Sequence, residues 1–389
     1  MIPIKINTLV RDISSPPIVK LYEMATPYRQ SGQLLDLSQA VPSYGPPAVI
    51  LDEMISSLAE RDIHRYTADP GTESLRSAIA QKLRVFNDVQ AEAGNVIVTA
   101  GANQAYLMTV MTLLDPGDEM LLLTPYYFNH HMAVAMIGAV PVEVPLDYEK
   151  GFVMEPERVL EMITPRTRAI TIVSPSNPTG TVYPQETLAL LADLLKDTGI
   201  MVISDETYEY FTPGPFTEGH FSIGAIPEMA QRTFTISSFS KAFGITGWRV
   251  GYVTAPREYV GDMLKVHDTM VICAPHVSQR AALAGLTGGM KWLARRVEEM
   301  NEKLEWLKTW NFSGGRFQIS SSGAFFAYLR HRFDGDSFRV TERLLKEKQV
   351  LLIPGQVFGS GQEKFVRVAL GGVDKKGLKE AMERIDSLR

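Results

Sequence analysis

The middle of the chain alternates short aliphatic runs with amphipathic stretches. Residues 96–98 lead into a helical pattern over 102–114, which stops at Asp115-Pro116-Gly117-Asp118. Residues 120–123 read as the next strand, and 170–173 as another. The stretch 184–197 follows, with Leu188, Leu191, Ala192 and Leu195 on one helical face and Pro184 suited to a first turn. Strands are then expected at 201–203 and 233–236. Strands alternating with helices predict an α/β fold whose mostly parallel sheet is covered by helices on both faces. In such sheets ligands sit beyond the carboxyl ends of the strands. Four polar clusters fall there: Gly101-Ala102-Asn103, then 174–180, 205–208 and 237–241.

The character changes after about residue 286. A long charged amphipathic helix is expected over 291–310, short strands near 325–329, 350–353 and 365–369, and helices over 337–348 and 375–388. This reads as a smaller α+β domain. The isolated Leu35-Asp36-Leu37 assigns the N-terminal segment to it. The expected division is a large domain, 45–286, and a small one built from 1–44 and 287–389. Repeats, low-complexity segments and flexible linkers are not evident.

Composition narrows the class. With 389 residues, 45% hydrophobic and 21% charged, the chain is long enough for two domains and too apolar for a disordered one. Lys+Arg 39 against Asp+Glu 44 gives a net charge of -5 without a long basic run, which argues against nucleic acid and anionic membrane as partners. The single cysteine, Cys273, fits a reducing compartment and excludes a multi-cysteine metal site. The first twenty residues do not read as a secretory signal, and no apolar run approaches the roughly 18–20 residues of a membrane span. The expected compartment is the cytoplasm, and no metal is expected.

The chemistry concentrates in residues 237–252. Lys241 lies among hydroxyls and small residues, with Arg249 eight positions later. A lysine so placed can form an imine with an aldehyde cofactor, while hydroxyls and a guanidinium hold that cofactor's phosphate. Alone, the Ser238-to-Lys241 spacing reads as a solvated loop. Ser174-Pro175-Ser176-Asn177-Pro178-Thr179-Gly180 after one strand and Asp205-Glu206-Thr207-Tyr208 after the next change that. Together with Lys241 and Arg249, and with 28 positions from Asn177 to Asp205, they make the chain resemble the class I/II aminotransferases, pyridoxal-phosphate enzymes of fold type I.

The resemblance implies roles. Lys241 is the Schiff-base lysine and proton shuttle, a task that needs a lowered pKa. Asp205 pairs with the pyridine nitrogen, and Asn177 and Tyr208 meet the phenolic oxygen. Gly101, Ala102 and Asn103 bring helix N-terminal amides to the phosphate, completed by Ser238, Arg249 and Ser240. Tyr127 stacks on the cofactor ring, although one register step would hand this role to Tyr126 or Phe128. Tyr66 reaches the phosphate across a homodimer interface, so that each site draws on two chains. Arg367 clamps the α-carboxylate of an amino acid or 2-oxo acid, with Asn177 assisting.

Two positions depart from the family pattern. Ala40 stands where glycine is common near the substrate carboxylate. Asn103 stands where some bacterial aspartate aminotransferases carry a lysine for the distal carboxylate. The expected donors are therefore neutral, aromatic or bulky apolar amino acids ahead of aspartate, with Tyr44, Tyr127, Phe128 and Phe358 as candidate walls. His130-His131 is discounted as a metal pair because neighbours on a helix point apart. His64, His267 and His276 lack helpful spacing. Met108 and Met111 are expected in the core, as is Cys273. The same Lys241-Asp205 apparatus would also serve cysteine-conjugate β-elimination, racemisation or ring closure. A catalytically silent ligand sensor is a further alternative, disfavoured because no DNA-binding segment is apparent ahead of the matching region.

Overall fold

The computed structural model describes residues 5–13, 17–30, 32–216 and 220–389. Strand β1 (Leu35–Asp36) precedes seven strands of one sheet: β2 (Val96–Thr99), β3 (Glu119–Thr124), β4 (Val140–Pro145), β5 (Thr167–Val173), β6 (Met201–Asp205), β7 (Thr233–Ser238) and β8 (Gly251–Thr254). Their order is β2-β8-β7-β6-β5-β3-β4. All neighbours are parallel except β8, which runs antiparallel to both β2 and β7. Strand β3 is buried at every position, which its unbroken Met-Leu-Leu-Leu run anticipates for a sheet covered on both sides.

Two strands of this sheet escape the hydrophobic pattern. Strand β4 is an edge strand carrying Pro141, Glu143 and Pro145, where proline is tolerated because one side needs no ladder donor. Strand β8 is short and begins at Gly251. A Cβ on Gly251 would lie 2.7 Å from the Ser237 carbonyl oxygen and 3.0 Å from the Ala102 amide nitrogen. Glycine here lets the sheet pack against the turn after β2.

The helices follow their apolar faces. Gln185–Leu195 buries Leu188, Leu191, Ala192 and Leu195, with Pro184 at the N-cap rather than inside the first turn. Ala102–Leu113 buries Met108 but leaves Met111 46% exposed, which corrects the expectation that both are core. At about 100° per residue the buried arc through Ala105, Tyr106, Met108, Thr109 and Val110 leaves Met111 on the far side. Cys273 is buried. Among the described residues no helix is long and apolar enough to cross a membrane.

The C-terminal part holds β9 (Phe317–Gly323), β10 (Phe326–His331), β11 (Val350–Leu351), β12 (Ile353–Pro354) and β13 (Phe365–Ala369). Four of them form an antiparallel sheet, β12-β13-β10-β9. The single strand expected at 350–353 is divided at Leu352. Its first half pairs in parallel with β1, Leu35 opposite Val350, and its second half pairs with β13. This ties the N-terminal segment to the C-terminal sheet. Helices Ser337–Lys348 and Lys375–Asp386 are capped by Asp336 and Asp374, whose carboxylates accept from the amides of Arg339 and Gly377.

Candidate active site

Strands β2, β3, β5, β6 and β7 all finish at one edge of the sheet, and the antiparallel β8 begins there. Strand topology alone therefore gathers the turn at Gly101, Tyr127, Asn177, Asp205, Ser238 and, two residues ahead of β8, Arg249. A cavity of about 400 Å³ opens at this edge. Its lining includes Ala40, Ala102, Asn103, Tyr127, Asn177, Asp205, Tyr208, Ser238, Ser240, Lys241, Arg249 and Arg367. That volume suits a small cofactor with its substrate.

Asp205 ends β6 and is buried. Its Oδ1 accepts from the Thr207 amide at 3.0 Å, and its Oδ2 lies 3.1 Å from His130 Nε2. Burial alone would raise this carboxyl, but His130 and Thr207 outweigh it and hold the pKa below the ordinary value. An ionised carboxylate only accepts, so the His130 Nε2–H is the donor. The imidazole is fixed by stacking on Tyr106, with centroids 3.9 Å apart. Residue-by-residue reading missed His130. The signal was its place three residues after Tyr127, one helical turn along: the His130 amide donates to the Tyr127 carbonyl at 2.9 Å.

Lys241 Nζ donates to the Ala40 carbonyl at 2.6 Å, and the Tyr44 hydroxyl donates to the Lys241 carbonyl at 2.7 Å. Burial lowers the Lys241 pKa from 10.5 to about 8, and the charges of Arg249 and Arg367 add to the shift. A minority of this amine, far larger than for a surface lysine, is consequently neutral near physiological pH and available as a nucleophile and proton carrier.

Arg367, on β13, is buried. It donates through Nη1 to Asn177 Oδ1 at 2.8 Å and through Nη2 to the Ser38 carbonyl. Its Nε has no partner among the described residues, and its guanidinium lies over the rings of Phe326 and Phe358. Burial lowers its pKa to about 10, so it stays charged. A buried, under-satisfied guanidinium facing a cavity fits a carboxylate ligand.

The other end of the cavity fits a phosphate. Gly101 adopts φ +88 and caps helix Ala102–Leu113 with no side-chain bond to its first amides. Among the described residues no side chain caps those amides, which suits them to an anion. A Cβ on Gly101 would collide with the Arg249 guanidinium, so glycine lets the cation lie across the helix start. Ser238 Oγ accepts from the Ser240 amide at 3.2 Å, and both residues line the cavity. The donor set therefore suits a phosphorylated pyridine aldehyde: an amine, a carboxylate for a ring nitrogen, and a cation with hydroxyls and amides for phosphate.

Two of the four expected walls lie elsewhere. Tyr127 and Phe128 line the cavity, whereas Phe358 is fully buried behind Arg367 and Tyr44 faces the Lys241 backbone and Trp292. Burial raises the Tyr127 phenol, with Asn103 beside it pulling the other way, and Asn129 Nδ2 donates to it at 2.9 Å. Tyr208 lines the cavity, and burial raises its phenol. Gln39, Val41, Thr207, Thr246 and Gly247 also line the cavity and were not anticipated. Tyr66 lines none of this chain's cavity and is 76% exposed.

The sequence pattern of the aminotransferase class I and II family matches residues 32–385. An aspartate aminotransferase of Pyrococcus abyssi is 33% identical, over 97% of this chain and 96% of its own length. An aromatic-amino-acid aminotransferase of Thermococcus litoralis is 31% identical, over 94% of this chain and 96% of its own. A tetra-mutant of Thermus thermophilus aspartate aminotransferase, solved with tryptophan, superposes with a TM-score of 0.91 at 31% identity, covering 99% of both chains. The chain thus belongs to the class I and II aminotransferases, and it is a pyridoxal-phosphate-dependent transaminase.

Proposed function

We propose that this enzyme works by a ping-pong exchange between an L-amino acid and a 2-oxo acid, with neutral, aromatic or bulky apolar donors ahead of aspartate. When bound, pyridoxal phosphate supplies an electron-withdrawing ring that lets the Cα proton leave. Lys241 would hold the cofactor covalently and, as an amine of lowered pKa, would accept and return the Cα proton. Asp205 keeps the ring nitrogen protonated, aimed by His130. Asn177 and Tyr208 hydrogen-bond the ring's phenolic oxygen. Tyr127, which lines the cavity, would stack against the ring. The amides at Gly101, Ala102 and Asn103, with Ser238, Ser240 and Arg249, hold the phosphate. Arg367 and Asn177 orient the α-carboxylate beside Ala40, so that the Cα–H bond faces Lys241.

The observation that carries the donor preference is the cation inventory. Among the described residues, the cationic side chains lining the cavity are Lys241, Arg249 and Arg367, and each already has a partner in this scheme. Asn103 is neutral and sits beside Tyr127. Among the described residues no further cation lines the cavity to meet a second carboxylate, whose burial unpaired is costly in a desolvated site. Phe128 and Val41 instead offer apolar lining.

We further propose a homodimer in which Tyr66 of each chain reaches the other's phosphate cradle, and a division into a large part, 45–286, and a small part, 1–44 with 287–389. Support for the dimer comes from the exposed Tyr66 and from Leu51, Ile55 and Leu58, which are exposed apolar residues at or just beyond helix Ala48–Ser57.

The test loads the protein with cofactor and adds single amino acids without an acceptor, following the absorbance of the cofactor. Phenylalanine, tyrosine, leucine or methionine should convert it with kcat/KM at least ~10-fold above aspartate, which is about 1.4 kcal/mol, and a 2-oxo acid should reverse the change. Aspartate in the lead overturns the donor preference. Pyruvate and ammonia released from a cysteine conjugate without acceptor would indicate β-elimination instead.

A further inference from the structure

A buried polar network lies behind Asp205 and Tyr208, and the scheme above does not use it. Glu206 and Glu209 flank the Thr207-Tyr208 pair, and both are buried. Lys82, on helix Glu73–Phe86, is nearly buried and donates to Glu209 Oε2 and, at 3.2 Å, to the Tyr252 hydroxyl. Asn87, capping the same helix, donates to Glu209 Oε2 at 2.8 Å and to Glu206 Oε2 at 3.4 Å. Ser237 donates to Glu209 Oε1 at 2.8 Å, and Ser204 and Ser222 donate to Glu206 Oε1 at 2.8 and 2.5 Å.

The bonds join three adjacent strands at their ligand-bearing ends. Glu206 and Glu209 follow Asp205 at the end of β6. Ser237 precedes Ser238 at the end of β7. Tyr252 follows Gly251 at the start of β8, against the turn of Gly101 and Ala102. One half of the cofactor site, for the ring nitrogen, belongs to β6. The other half, for the phosphate, belongs to β7, β8 and the helix start. A buried ion pair is weak evidence for stability, since desolvation offsets its attraction, so a geometric role explains it better.

We propose that Lys82 is a positioning residue: through Glu209, Ser237 and Tyr252 it sets the span between the ring-nitrogen carboxylate and the phosphate cradle. The proposal rests on the cofactor placement given above. A ligand with two anchors binds tightly only when both engage at once, and a small change in span removes that linkage while leaving each half-site intact.

The experiment measures equilibrium dissociation constants of pyridoxal phosphate, of pyridoxal and of inorganic phosphate (by competition) on the full chain. For Lys82→Met the constant for pyridoxal phosphate should rise at least ~10-fold, while those for pyridoxal and for phosphate stay within about threefold. The double variant Lys82→Met/Glu209→Gln removes both charges of this pair together and should show the same split if the single variant does not fold. Equal weakening of pyridoxal and pyridoxal phosphate, or unchanged binding of all three, overturns the proposal. A wild-type chain that binds pyridoxal phosphate no better than pyridoxal would overturn the phosphate cradle itself, and the span argument with it.

Discussion

Asp205 Oδ2 and His130 Nε2 lie 3.1 Å apart, and both side chains are buried. The pair explains how a carboxyl group enclosed at the end of a buried strand stays ionised, since burial alone would raise its pKa and His130 with Thr207 reverses the sign. Because its folded pKa is depressed, the group's contribution is present above the ordinary carboxylate range and is lost as pH falls through the folded value. His130→Phe removes the main donor. The acid limb of the half-reaction's pH profile should then move to higher pH, and kcat should fall about tenfold. An unmoved acid limb would show that His130 does not govern Asp205.

Lys241 should titrate far below a surface lysine. In the cofactor-free chain, its reaction rate with a small aldehyde should rise with pH to a midpoint near 8 rather than 10.5. The sign of the linked stability is also fixed. Between these two values the unfolded chain binds more protons, so the contribution of this group to stability rises with pH. The stability advantage of Lys241→Met over the cofactor-free wild type should shrink as pH increases from 7 towards 10. A midpoint at the ordinary lysine value would contradict the burial argument.

Gly180 holds the Asn177 loop against the C-terminal sheet. It adopts φ +74, and a Cβ there would press into the Gly323 backbone, 2.8 Å from its Cα. Ser321 Oγ reinforces the contact by donating to the Thr179 carbonyl at 2.9 Å. Gly180→Ala should cost at least about 1 kcal/mol in urea unfolding, through strain and overlap together. It should also raise KM, because Asn177 lies three residues away and is bonded to Arg367. An unchanged unfolding midpoint would mean the two backbones separate freely.

The legible part of the molecule was the part where local pattern and tertiary role coincide. Strand β3 and helix Gln185–Leu195 bury the residues that periodicity marks. Asp205 and Lys241 were readable because motif spacing marks them and the ends of β6 and β7 bring them to one edge, whereas Arg367 was readable from the family likeness of its segment and reaches the cavity from the middle of β13. Strand β4 was hidden by its two prolines, and β8 by a glycine that only the packing of Ser237 and Ala102 explains. The division at Leu352 depends on two different partners, β1 and β13, which no local pattern encodes. His130 was set aside as half of a histidine pair, although its partner is a carboxylate on another strand. The Lys82 network likewise unites residues 127 and 170 positions apart in the chain.

Tyr66 gives the test of chain sharing. It is 76% exposed and lines none of its own chain's cavity. Mixed dimers of Tyr66→Ala and Lys241→Ala chains contain one site with both lesions and one with neither. They should recover up to about half of the wild-type activity per site pair, as two-chain sites require. Hybrids confirmed by mass that show no recovery would place Tyr66 outside the site.

Lys241, which lines the cavity and has a lowered pKa, is the residue proposed to join the cofactor. Borohydride reduction of the loaded protein, followed by digestion and peptide mass mapping, tests this most directly. The pyridoxyl mass should fall on the peptide carrying Lys241 and disappear in Lys241→Ala. Label on another lysine, or label that persists in the variant, would contradict the assignment and the site built around it.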